Sequence, residues 1–246
     1  MRVLITNDDG IDSPGLAALA RGAVAHGWTT VDAAPARESS GTSAGLTAAE
    51  DDRRVQVERR ELPGLPDVRA YAVAAHPAFI ALVASQGAFG DPPDIVLSGV
   101  NRGANVGRAV LHSGTVGAAL TAAVNGARAM AVSLDVGLDP QVTHHWDTAV
   151  AVAAKLFDRV AALPAGAVLN LNVPNRAEVG EPERAALAEF GTVRTRVKDS
   201  EDGTIGLAAV LVDDDLVPGT DAALLVAGVP TVTPLRSVAE DPDIEV

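Results

Sequence analysis

The chain opens on an apolar run, Arg2-Val3-Leu4-Ile5, that gives way at once to Thr6-Asn7-Asp8-Asp9-Gly10. A short continuous apolar run of this kind predicts a strand buried in a parallel sheet. Ser13-Pro14 follows, an N-cap residue and then a proline at the first helical position. The predicted helix runs from 14 to about 25, and Gly27 closes it. The alternation then repeats. Residues 29–34 predict a second strand, 55–58 and 68–73 a pair of strands forming an excursion from the main sheet, and 77–85 a helix. Residues 94–98 predict a third buried strand, 112–126 an alanine-rich helix, and 129–133 a further strand. Apolar spacing predicts one helix over 143–162, and 168–173 is the last strand of the core.

Strands alternating with helices predict a three-layer α/β/α sandwich around a mostly parallel sheet. After Pro174 the pattern changes to charge clusters, short valine-rich runs and turn residues, with Asp213-Asp214-Asp215 near the middle. That region predicts a β-hairpin or arm appended to the sheet. The expected organisation is one domain over 1–246, with a core of about 1–175 and an arm of about 176–246.

Composition narrows the function. Hydrophobic residues make up 48% and charged residues 21% of the 246, as in a globular protein with a substantial core. No apolar run approaches the roughly 20 residues of a membrane helix, and no basic-then-apolar leader opens the chain. Cysteine is absent, which excludes disulfides, thiolate nucleophiles and cysteine-based zinc sites. A cytoplasmic location is expected. The net charge of −13 disfavours nucleic acid polymers and anionic membranes as partners.

The candidate chemistry starts at the end of the first strand, the edge where open α/β sheets bind ligands. Two adjacent carboxylates, Asp8 and Asp9, repel each other, and a bound cation relieves them. Asp-Gly pairs are also ordinary turn residues, so the other loops decide between the two. The second strand runs into a hydroxyl-rich loop, 35–43, and the third into a glycine- and amide-rich loop, 99–107. In a parallel sheet these loops emerge on the same edge as Asp8. The two carboxylates, a hydroxyl from Ser40 and an amide from Asn101 then offer four hard oxygen donors. That set suits one Mg²⁺ or Mn²⁺, or Ca²⁺, rather than zinc. Ser113-Gly114-Thr115 opens a helix, where free N–H groups, the dipole and two hydroxyls make an anion site or a plain N-cap.

Thr6-Asn7-Asp8-Asp9-Gly10-Ile11, Ser98-Gly99-Val100-Asn101-Arg102-Gly103-Ala104-Asn105 and His112-Ser113-Gly114-Thr115-Val116-Gly117-Ala118-Ala119 resemble the signature blocks of the SurE family, the survival-protein E 5′/3′-nucleotidases. Leu169-Asn170-Leu171-Asn172-Val173-Pro174, Thr220-Asp221 and Val232-Thr233-Pro234-Leu235 resemble its closing blocks, so the likeness runs from residue 1 to about 235. The resemblance implies a metal-dependent phosphomonoesterase acting on nucleoside monophosphates. It also implies a Rossmann-like sheet and a homodimer or homotetramer joined through C-terminal arms. Its metal ligands match Asp8, Asp9, Ser40 and Asn101, and its phosphate contacts resemble Asn105, Ser113, Gly114 and Thr115. The chain departs from the family pattern at Ala36 and Ser39, where an acidic residue and an arginine are usual, and over 75–80.

The expected reaction is hydrolysis of a nucleoside 5′- and also 3′-monophosphate by metal-activated water, with Asp8 or Asp9 as general base. Asn7 stands where haloacid-dehalogenase phosphatases carry their nucleophilic aspartate, so an acyl phosphate is excluded. His112 is a candidate proton donor to the leaving group. Two alternatives stand beside this reading: a phosphatase of another small phosphate ester, and a metal-binding protein without turnover. A dinucleotide-binding reading fails, because no Gly-x-Gly-x-x-Gly follows the first strand.

Overall fold

The computed structural model describes residues 1–51, 54–139, 141–191, 193–201, 204–211, 216–238 and 240. In chain order its elements are β1 (Arg2–Thr6), α1 (Pro14–Ala25), β2 (Thr29–Pro35), β3 (Glu50–Asp51), β4 (Arg54–Val55), β5 (Val57–Leu62), β6 (Leu65–Val73), α2 (Pro77–Ser85) and β7 (Ile95–Arg102). A 3₁₀ turn (Gly107–His112) leads into α3 (Gly114–Val124) and β8 (Arg128–Asp135). Then come α4 (Trp146–Ala154), α5 (Phe157–Ala162), β9 (Val168–Pro174), β10 (Glu183–Arg184), β11 (Val193–Glu201), β12 (Thr204–Leu211), α6 (Asp221–Val226) and β13 (Thr231–Leu235).

Nine strands form one sheet in the order β10-β13-β9-β8-β7-β1-β2-β6-β5. Every neighbouring pair is parallel except β9 with β13 and β5 with β6. One face packs on α1, α4 and α5 through Leu16, Leu19, Val152 and Phe157. The other packs on α2 and α3 through Ile80, Ala81, Val116 and Ala119. The expected three-layer sandwich is therefore what forms, and β1 lies at its centre with β2 on one side and β7 on the other. Among the described residues, no helix is long and apolar enough to cross a membrane.

Three details differ from the sequence reading. Residues 57–58 and 68–73 do not leave the main sheet: β6 pairs parallel with β2, and β5 closes that edge antiparallel, whereas Val55 belongs to β4, which pairs with β3 outside that sheet. The small, buried Ala70 and Ala72 let β6 serve as an interior strand between two layers. The helix predicted over 143–162 starts only at Trp146 and breaks between Ala154 and Phe157. Its first residues are held out of the helix by Asn175, which accepts the His145 N–H at 2.9 Å and donates to the Thr143 carbonyl at 2.8 Å. The break turns the fully buried Phe157 and Val160 into the core. In the C-terminal region β11 and β12 pair as a separate antiparallel hairpin, while β13 returns to the sheet beside β9. Asp213-Asp214-Asp215 lies outside the described residues.

Helix α1 runs directly over the end of β7. A Cβ on Gly15 would lie 2.1 Å from the Val100 carbonyl oxygen, a separation that no repacking of side chains relieves. Helix propensity alone favours Gly15→Ala by about 1 kcal/mol. The overlap reverses the sign, and the substitution should destabilise the protein by roughly 2–4 kcal/mol in urea denaturation. A gain in stability would contradict the close approach.

Candidate functional site

Strand β1 ends in a turn that closes on itself. The Asn7 side chain accepts the Gly10 N–H at 3.1 Å and donates to the Gly10 carbonyl at 3.0 Å, an Asx-type closure. With that turn fixed, Asp8 and Asp9 point to different neighbours. Asp8 Oδ1 accepts the Thr115 hydroxyl at 2.5 Å. Asp9 Oδ2 accepts the Arg102 N–H at 3.0 Å. The backbone is tied as well: the Asp8 carbonyl accepts the Ser39 N–H at 2.7 Å, and the Ile11 N–H donates to the Pro35 carbonyl at 2.9 Å. The loops after β1, β2 and β7 and the start of α3 thus meet around one pair of carboxylates.

Both carboxylates carry a burial cost. Asp8 is buried, and desolvation pushes its carboxyl up from the ordinary 3.8 to about 6, aided by the Asp9 charge and opposed by the Thr115 hydrogen bond. Asp9 is also pushed up, by burial first and by the Glu38 charge, against the pull of the Arg102 N–H. Among the described residues neither aspartate takes part in an ion pair.

The other expected ligands sit on the same edge. The Asn101 side chain donates its amide N–H to the Gly103 carbonyl at 2.7 Å, which fixes Nδ2 and leaves Oδ1 as the atom able to meet a cation. Ser40 is exposed and donates its hydroxyl to Glu38 at 2.8 Å, so its oxygen lone pairs remain. Among the described residues no group of three or more His, Cys, Asp or Glu side chains clusters as a metal cage. The donors are two carboxylates, an amide and a hydroxyl, all hard oxygens, which fit Mg²⁺, Mn²⁺ or Ca²⁺.

The expected phosphate contacts are all engaged with neighbouring groups of the protein. Ser113 Oγ accepts the Val116 N–H at 3.1 Å, so it caps α3. Thr115 is committed to Asp8, and Gly114 faces the same carboxylate so closely that a Cβ would lie 2.8 Å from Asp8 Oδ2. Asn105 is clamped by β9: its N–H donates to Asn172 at 2.7 Å, and its carbonyl accepts from Asn170 and Asn172 at 2.8 and 2.9 Å. Its own side chain donates to Ser133 Oγ at 2.8 Å. His112 is exposed.

Five further residues contribute without having been given a role from the sequence. Glu38 links Ser40 to the Asp9 field. Thr42 Oγ1 crowds Gly114. Asn170 and Asn172 hold Asn105, and Asp221 holds Gly107, accepting its N–H at 2.8 Å together with those of Ala188 and Ala222. Polar side chains at alternate positions of a fully buried strand, 168–174, are the signal for the asparagines.

Comparison with known proteins gives a consistent picture. Residues 3–197 match the family model described as Survival protein SurE. A 5′-nucleotidase SurE of Xanthomonas oryzae pv. oryzae (strain PXO99A) is 41% identical over 179 residues, covering 72% of this chain and 65% of that relative. The match thus spans just under two thirds of the length of that relative. A 5′-nucleotidase SurE of Methanopyrus kandleri is 35% identical over 247 residues, covering 96% of this chain and 92% of the relative. The crystal structure of SurE protein from Aquifex aeolicus superimposes with a TM-score of 0.80 at 25% identity, covering 98% of this chain and 95% of that one.

The raised carboxyl of Asp8 sets a pH dependence. Its folded value of about 6 exceeds the unfolded one, so the native state binds the extra proton and stability falls as pH rises from about 4 to about 6. In EDTA, Asp8→Asn should match the wild type near pH 4 and exceed it by roughly 1–3 kcal/mol at pH 7.5. Saturating Mn²⁺ should raise the melting temperature of the wild type and leave the variant unmoved. A stability difference that is flat across pH would contradict the burial cost assigned to Asp8.

Proposed function

We propose that this chain, which belongs to the survival protein SurE family, is a divalent-metal-dependent nucleotidase that hydrolyses nucleoside 5′-monophosphates, and 3′-monophosphates at the same site. The observation that carries the reading is the carboxylate pair at the end of β1: Asp8 is buried and packed against the first turn of α3, Asp9 is half-buried beside it, and among the described residues neither takes part in an ion pair. The names of the relatives, 5′-nucleotidase SurE, support the substrate class.

Asp8, Asp9, Ser40 and Asn101 would hold one Mg²⁺ or Mn²⁺, which when bound supplies Lewis acidity toward a phosphate oxygen and a water. The chain's own groups do the rest. Thr115 fixes the Asp8 carboxylate, and the Arg102 N–H fixes one oxygen of Asp9. Asp9 lines an open cavity of about 350 Å³, where a carboxylate can take a proton from an attacking water. Asn105, Ser113, Gly114 and Thr115 form the phosphate side, where the dipole of α3 favours negative charge. Arg102 lines the Asp9 cavity, whereas Arg37 lines a different one. A cytoplasmic homodimer or homotetramer joined through the region after residue 176 completes the proposal.

One observation favours a second reading, a phosphatase of another small phosphate ester. The departures from the family pattern at Ala36, Ser39, Ala75 and His76 all line one cavity of about 520 Å³. Changes gathered in one place beside an intact donor set alter what enters more readily than what reacts.

Phosphate release from nucleoside 5′- and 3′-monophosphates with Mn²⁺ or Mg²⁺ tests the proposal. Turnover should vanish in EDTA and fall at least ~10³-fold in Asp9→Asn. Cleavage of an aryl phosphate but of no nucleotide would favour the second reading. Metal binding without turnover on any ester would overturn both.

A further inference from the structure

The cavity that contains Asp9 has a second wall of a different character. Asp9, Glu38 and Arg102 form its charged side, and Pro14, His144 and Trp146 the other. His144, Trp146 and Pro14 also line an adjoining cavity of about 650 Å³ that reaches Arg21 and Glu61. The two spaces share these three residues, so the aromatic pair borders both the cleft at Asp9 and the larger cavity. The imidazole and indole are stacked, with centroids 5.1 Å apart and planes 20° from parallel.

That pair is held in place from behind. Asn175 bridges Thr143 and His145 and holds the residues before α4 out of the helix. Trp146 is the first residue of α4, and its ring edge packs on α1, where a Cβ on Gly15 would lie 3.1 Å from it. The rings are therefore pre-positioned. Aromatics are only 3% of the chain, and most of the others are spent elsewhere: Trp28 and Phe157 pack together, and Tyr71 stacks on Phe89.

We propose that the His144–Trp146 pair seats the nucleobase of the substrate and so sets the preference for nucleoside monophosphates over phosphate esters that lack an aromatic ring. The inference rests on the nucleotidase reading. A base stacks on any flat π-face, and one such contact is worth on the order of 10-fold in binding without selecting a sequence. The cleft volumes fall within the about 300–1,000 Å³ typical of small-molecule sites. Charge at one end and flat apolar surface at the other match a molecule with a phosphate at one end and a base at the other. The adjoining Arg21 and Glu61 offer a donor and an acceptor to the base edge.

The test compares adenosine 5′-monophosphate with ribose 5-phosphate, which keeps the sugar and phosphate but has no base. His144→Ala removes one ring and leaves the packing of Trp146 on α1. It should raise KM for adenosine 5′-monophosphate about tenfold with little change in kcat, and leave ribose 5-phosphate hydrolysis unaltered. His144→Phe should restore the nucleotide KM. Adenosine alone should quench Trp146 fluorescence in the wild type and require about tenfold more ligand in His144→Ala. Equal losses on both substrates would make the pair structural and overturn the proposal, as would unchanged kinetics together with unchanged quenching. Quenching by adenosine in a protein that cleaves neither ester would keep the base seat and overturn the nucleotidase reading instead.

Discussion

Two adjacent carboxylates, one buried and one half-buried, are a standing electrostatic cost, and four segments of this chain are arranged around meeting it. Desolvation penalises each ionised group, and their mutual repulsion adds to it. The protein answers chiefly with neutral donors, the Thr115 hydroxyl for Asp8 and the Arg102 backbone N–H for Asp9, with the Arg102 charge a smaller pull on Asp9. These fix orientation without cancelling charge. The carboxyls stay raised, a cost of ionisation that a bound hard divalent cation would offset.

Holding four chain segments around that pair needs close backbone approach, and small residues permit it. Gly114 fits against Asp8, and at Gly117 a Cβ would lie 2.2 Å from the Ser43 carbonyl. Helix α3 can thus lie on the loop that follows β2. Farther out, the amide-rich loop after β7 is tied to strands distant in sequence. Asn170 and Asn172 clamp Asn105, and Asp221 at the start of α6 clamps Gly107. The C-terminal segment therefore contributes to the site through backbone support, without placing a described side chain beside the carboxylates.

The order of strands and helices was legible because parallel strands buried on both faces read as short apolar runs, and β1, β7 and β9 are of that kind. Convergence of the three loops followed from the same fact, since parallel strands end on a common edge. Less legible were features set by long-range hydrogen bonds. The start of α4 is displaced by Asn175, about thirty residues away, and β6 is drawn into the sheet by its pairing with β2. Side-chain commitments were hidden as well. That Thr115 donates to Asp8 and Ser40 to Glu38 depends on rotamers that spacing does not encode.

The central claim is that the end of β1 is built to hold one divalent cation. Anomalous diffraction from crystals soaked in Mn²⁺ tests it most directly. The account predicts one strong peak per chain, about 2.0–2.3 Å from carboxylate oxygens of Asp8 and Asp9, with Asn101 Oδ1 and Ser40 Oγ turned toward it. No peak there at saturating Mn²⁺, or a peak held by other residues, would contradict it.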